Sequence, residues 1–320
     1  MKACMTTVLA LGFFAALAGG EDRSAANEET ALVAGLSLAP RDGAEPPPLV
    51  LKIAVNDIYC RKTACDCLGE IATRSFDTLL ADLKARHNIT LQPTYFAEVF
   101  DLQKAILANR YDGVLCKPWT ALQYSNKTQA RFKRVGDLLD PDNKALMTGV
   151  FLTLTGSPIR TLEDMQGKRI ALGQEDSYEK HQAPLQMLAA KHIQPGEQLL
   201  FSSCGENLSA LLDGKVDVAV VSSYALTATC AVDFAKPEDF TTLAQTAEMP
   251  LTSLLVDLRK VPVADAARLQ AALLDVSGAK APENLLGKGF VLPASWKPTP
   301  PAVASGAVQP SGIKPGDAVP

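Results

Sequence analysis

Between residues 49 and 222, short β-branched apolar runs alternate with amphipathic stretches, twice over, and that order admits few folds. Such a run suits a strand buried on both faces, and the helical stretches supply the crossovers that parallel strands need. The sequence predicts strands over 49–56, 89–96 and 113–116, with helices over 68–86 and 99–109 between them. A second round follows, with an apolar run over 146–155, a short helix over 161–165, strands over 169–173, 198–202 and 216–222, and helices over 177–191 and 206–212. The expected fold class is therefore α/β, two α/β lobes with a hinge and a central cleft. An apolar run over 251–257 and a helix over 263–274 are assigned back to the first lobe, so the chain is expected to cross near 139–146 and 230–242. Lobe 1 then spans 49–142, lobe 2 spans 143–235, and 236–297 returns to lobe 1.

The ends of the chain read differently. Lys2 precedes an apolar run that closes on Ala16-Leu17-Ala18, which predicts a signal peptide over 1–20 and a periplasmic or otherwise exported product. Residues 21–48 end in Pro46-Pro47-Pro48 and read as a disordered tether, and 298–320 as a disordered Pro-rich tail with too few large apolar residues to order itself. Charge is nearly balanced, with 31 Lys and Arg against 35 Asp and Glu, so no basic block recommends a nucleic acid partner. Once Cys4 leaves with the leader, Cys60, Cys65, Cys67, Cys116, Cys204 and Cys230 remain, and an even number in an exported chain favours disulfides. One bridge is expected from the first turn to Cys116 and another from Cys204 to Cys230. A four-thiolate metal group of Cys60, Cys65, Cys67 and Cys116 is the alternative, and a catalytic cysteine a third.

In an open α/β lobe, ligands sit beyond the carboxyl ends of the strands, where loops lead into helix starts. That rule selects segments 56–67, 96–98, 116–120, 174–178 and 202–206, drawn from both lobes. Within them Ser177, Ser202 and Ser203 offer hydroxyls, though Ser177 and Ser203 could instead cap their own helices. Lys117 offers a cation, and Tyr59, Phe96, Trp119 and Tyr178 offer aromatic walls. Asp176 and Glu179 would repel an anion if they pointed inward, so they are expected either to face solvent or to meet a positive group on the ligand. No nucleophile, base and acid fall together, which argues against an enzyme; no cofactor or metal is assigned.

Several stretches resemble the phosphate/phosphonate-type solute-binding proteins of ABC importers. Leu102-Gln103-Lys104-Ala105-Ile106-Leu107 with Tyr111-Asp112-Gly113-Val114-Leu115 is similar to that family's helix followed by an apolar strand. So are the segment from Ile159 through Leu162-Glu163-Asp164 and Gly167-Lys168-Arg169 to Ala171, and Phe201-Ser202-Ser203-Cys204-Gly205-Glu206 followed by Leu212-Asp213-Gly214-Lys215-Val216-Asp217-Val218-Ala219. The resemblance implies a type II periplasmic-binding-protein-like fold and a monomer that captures a small anionic, phosphonate-like ligand for the membrane permease of an ABC importer. A second reading makes the chain an exported redox or metal-handling protein that uses the cysteine cluster on the same scaffold. A third keeps the fold but gives it a protein partner.

Overall fold

The computed structural model describes residues 46–64, 68, 71–225 and 234–298; the leader, most of the tether, Cys65, Cys67, Cys230 and nearly all of the tail lie outside them. Two sheets form. The first contains β1 (Leu49–Val55), β2 (Ile89–Tyr95), β3 (Gly113–Cys116), β4 (Phe132–Leu138), β12 (Thr252–Asp257) and β13 (Phe290–Val291), in the order β2, β1, β3, β12, β4, β13. The second contains β6 (Gly149–Leu154), β7 (Ile170–Gly173), β8 (Gln198–Phe201), β9 (Val218–Ser222) and β10 (Phe240–Gln245), in the order β8, β7, β9, β6, β10. In each, three parallel strands place the earliest in the middle, and antiparallel strands complete one side. The chain order reverses at β1 and β3 in one sheet and at β7 and β9 in the other, and such reversal points open a crevice at the strands' carboxyl ends.

The central strands are buried along their whole length: Gly113-Val114-Leu115-Cys116 in β3 and Val218-Ala219-Val220-Val221-Ser222 in β9. Helix α1 (Asp77–His87) carries Asp77 in its first turn and Lys84, Arg86 and His87 in its last, and it ends where Asn88 takes a left-handed φ of 54°. It starts nine residues later than the periodicity over 68–86 predicts. The Arg74 N–H is bonded to the Tyr59 carbonyl at 2.9 Å, and the Ser75 N–H to the Asn284 carbonyl, so this stretch cannot join a helical ladder. Helix α2 (Val99–Leu107) leads from β2 towards β3, and α3 (Pro118–Leu122) and α4 (Ser125–Thr128) follow β3.

The predicted helix over 177–191 divides into a π turn, Tyr178–Gln182, and α5, Ala183–Ala190. Pro184 has no N–H to give to the preceding turn, so the ladder changes register ahead of it. Gln182 and His181 both donate backbone N–H groups to the Ser177 carbonyl, each at 3.2 Å. Against this turn packs Gly149, where an added Cβ would lie 2.0 Å from the Glu179 carbonyl oxygen. Only glycine allows β6 to approach so closely. Helix α6 (Cys204–Leu212) follows β8, and α7 (Val263–Asp275) covers the first sheet.

The two sheets are joined by a two-stranded antiparallel ribbon, β5 (Leu146–Met147) with β11 (Met249–Pro250). The second crossing therefore lies beyond the 230–242 expected for it, and the return to the first sheet begins well after 236. Phe240–Gln245 is the reason: it pairs with β6 at the edge of the second sheet and keeps the chain there. Its half-exposed, Thr-rich sequence is that of an edge strand, which resembles a connector when read alone.

The disulfide expectation is also corrected. Cys60, Cys116 and Cys204 carry free thiols, all buried. The Cys116 thiol donates to the Lys117 carbonyl at 3.1 Å, and Cys204 lies against Ser222, whose N–H reaches its sulfur at 3.4 Å. Burial pushes the thiols of Cys116 and Cys60 above their ordinary value, so they are packed rather than reactive groups. Among the described residues, no three His, Cys, Asp or Glu side chains gather as metal ligands would.

Candidate functional site

The carboxyl ends of β3 and β9 face one another through charged side chains. Lys117 is the residue after β3, and its ammonium group donates to the Glu179 carboxylate of the π turn and, at 3.2 Å, to the Tyr224 hydroxyl just beyond β9. Ser222, the last residue of β9, donates its hydroxyl to the same Glu179 oxygen at 3.0 Å. The Glu179 side chain is 2% exposed and that of Lys117 23%, so the contact between the two strand ends is largely shielded from water. Beside it, Gln103 of α2 donates to the Asp176 carboxylate at 2.5 Å.

The electrostatics follow from this packing. Burial opposes ionisation of Glu179, but the charges of Lys117 and Lys180 and the Lys117 hydrogen bond outweigh it and hold the carboxyl down at about 2. Burial likewise works against the Lys117 ammonium, while Glu179 and Tyr224 raise its pKa above the ordinary lysine value. Both members are charged at neutral pH. Lys180 adds a second positive group and reaches the Ser202 carbonyl at 3.5 Å; His181 hydrogen-bonds the Gly173 carbonyl through Nδ1 at 2.8 Å.

Aromatic rings line one flank. Trp119 lies with its ring centroid 5.0 Å from that of Tyr178, and Trp296 meets the other side of Tyr178 edge-on at 5.5 Å. Tyr59, Met147, Met249 and Leu251 complete the apolar cluster, which thus includes both strands of the connecting ribbon. Trp296 arrives from the segment after β13, where the Ala294 N–H donates to the buried Asp137 carboxylate at 2.9 Å.

Of the residues singled out from sequence, Lys117, Trp119, Tyr178 and Tyr59 come together here. Ser177 stands at the start of the π turn, with its carbonyl engaged by the two N–H groups described above. Phe96 instead packs edge-on against Tyr111 at 5.9 Å, with the apolar cluster of the first sheet. Ser202 and Ser203 serve the first turn of α6: Ser202 donates its hydroxyl to Glu206 at 2.6 Å, and Ser203 accepts from the Glu206 N–H at 3.1 Å in a capping box. Ser203→Ala should accordingly lower unfolding stability by about 1 kcal/mol. Ligand affinity should be unchanged, as denaturant titration and calorimetry on one preparation can establish; a tenfold loss of affinity at constant stability would reverse that assignment.

Sequence reasoning left Glu179 between solvent and ligand, and the structure buries it against Lys117 instead. Gln103, Tyr224 and Trp296 were not singled out at all. The only local signal was Glu179-Lys180-His181 directly ahead of Pro184, where a register change turns three ionisable side chains inward.

A family model described as the phosphonate periplasmic substrate-binding protein of ABC transporters matches residues 69–292. Among curated proteins, none matches the chain in sequence. Similar solved structures include a Xanthomonas citri protein bound to ATP, 16% identical, covering 77% of this chain and 91% of that one with a TM-score of 0.58. PhnD1 from Prochlorococcus marinus in complex with methylphosphonate is 13% identical, covering 78% and 94% with a TM-score of 0.53. A binding component of an ABC phosphonate transporter from Pseudomonas aeruginosa is 13% identical, covering 77% and 82% with a TM-score of 0.52. At these identities the likeness is one of fold, and the fold is that of type II periplasmic binding proteins.

Proposed function

The chain belongs to the phosphonate-type periplasmic substrate-binding proteins of ABC transporters, and from that premise we propose that it captures a small oxyanion between its two sheets for a membrane permease, acting as a monomer. The observation that supports this reading is the contact of Lys117 with Glu179. A lysine at the carboxyl end of β3 meets a carboxylate of the π turn that follows β7, beside the packed rings of Trp119 and Tyr178. In the proposal, Glu179 holds the place of the ligand's negative group, and the ligand takes over Lys117 when the sheets part and close again. Capture of this kind needs no covalent step; binding and closure suffice.

Calorimetric titration with methylphosphonate and with inorganic phosphate tests the reading. Saturable binding of at least one is expected, and Lys117→Met should weaken it by tenfold or more, since a hydrogen bond to a charged group is worth about 1.5–3 kcal/mol. Failure of both to bind the unaltered protein, or equal affinity in the Lys117 variant, would remove the oxyanion from the proposal.

A further inference from the structure

The short stretch behind Lys117 holds polar atoms that no described residue satisfies. Trp119 Nε1, Gln123 Nε2 and Ser125 Oγ are buried without a hydrogen-bond partner; among the described residues only one other side-chain atom, Asn207 Oδ1, shares that condition. Buried polar groups in native proteins are nearly always paired, so three orphans within one stretch of chain call for an explanation. Two of the three have a fixed sense: an indole N–H and an amide NH2 can only donate. What completes them must bring acceptor atoms.

Their placement points the same way. The Gln123 N–H donates to the Trp119 carbonyl at 3.0 Å, which sets the two residues one helical turn apart on a common face. Trp119 on that face meets Tyr178 of the π turn that follows β7, so the face lies where the loops of the two sheets meet. Lys117, two residues earlier, is the cation of the same boundary.

We propose that Trp119 and Gln123 are ligand-contact residues, whose indole and amide N–H groups receive the oxygens of the oxyanion that Lys117 pairs with. This rests on the oxyanion reading and deepens it. The Lys117 ammonium, the Trp119 indole N–H and the Gln123 amide NH2 favour a ligand that presents oxygen acceptors to them, because an O–H or N–H group directed at any of these three would meet a donor. The selection is made by hydrogen-bond polarity in addition to charge.

Trp119→Phe and Gln123→Leu remove the donors while keeping most of the shape. Methylphosphonate and inorganic phosphate are titrated into both variants and the unaltered protein, with the melting temperature recorded without ligand. The expected result is affinity at least tenfold weaker in each variant, with a ligand-free melting temperature equal or higher, since an unpaired donor has been replaced by an apolar group. A protein labelled with 15N at its two tryptophans, Trp119 and Trp296, adds a direct view: the Trp119 indole proton should move downfield on saturation, and Trp119→Phe identifies its signal. Unchanged affinity in both variants, or binding that leaves the Trp119 indole signal in place, overturns the assignment while the oxyanion reading stands. A variant that melts several degrees lower at unchanged affinity would show the donors serving the protein itself, and also overturns it. If the unaltered protein binds neither probe, the oxyanion reading fails and this assignment falls with it.

Discussion

Replacing Arg74 with methionine should cost the folded state about 3–5 kcal/mol, the range for leaving one member of a buried ion pair without the other. Arg74 is 1% exposed and its partner Asp57 is fully buried, with 2.8 Å between guanidinium and carboxylate. The same guanidinium donates to the carbonyls of Leu285 at 2.6 Å, Leu139 at 2.5 Å and Leu286 at 3.2 Å. It therefore ties together the loop after β1, the end of β4 just before the ribbon, and the segment before β13. Losing it strands the Asp57 charge and three carbonyls at once. Urea unfolding should show the midpoint falling at constant slope, and the double change Arg74→Met with Asp57→Leu should recover part of the loss because no charge is then left alone. A single-variant cost under 1 kcal/mol would mean that water reaches this site.

Glu179→Gln should act in the opposite direction on binding. If the carboxylate occupies the ligand's place, removing its charge frees Lys117, and affinity for methylphosphonate should rise at least tenfold. Small-angle scattering without ligand should show a larger radius of gyration, because the contact that closes the sheets has been weakened. Acid should loosen the same contact, which scattering without ligand can follow; affinity cannot report it, because methylphosphonate takes up protons over the same range. The Glu179 carboxyl titrates at about 2 in the folded protein against an ordinary 4.5, so its contribution is complete above pH about 5 and disappears as the pH falls towards 2. Affinity and radius of gyration both equal to those of the unaltered protein would show that the carboxylate neither competes with the ligand nor holds the sheets.

The repeated strand and helix order was legible because buried parallel strands are continuous apolar runs, and the crossovers between them must be helical. Lys117, Trp119 and Tyr178 were legible for a related reason: each stands just beyond a strand that the pattern locates. What brings Lys117 to Glu179 was not, since the two are 62 positions apart, one after β3 and one in the π turn, and no spacing rule connects them. Charged residues at the start of a predicted helix ordinarily face water, and only the register change ahead of Pro184 turns Glu179 inward. Trp296 falls at the end of the segment assigned back to the first lobe, and nothing in its local sequence announces that it packs on Tyr178. Sequence parity favoured bridges at Cys116 and Cys204, whereas packing at the strand and helix ends left both as thiols.

The paired crossing of β5 and β11 has a mechanical consequence. Met147 lies opposite Met249 and Leu146 opposite Pro250, and the Leu251 N–H continues the lacing to the Ala145 carbonyl at 2.9 Å. Two strands bonded edge to edge behave as a leaf spring: sliding one past the other breaks the lacing, while flexing across the flat of the ribbon stretches none of it. The parting of the sheets that we propose would then be close to a single angular coordinate, and one interprobe distance between them would suffice to follow it.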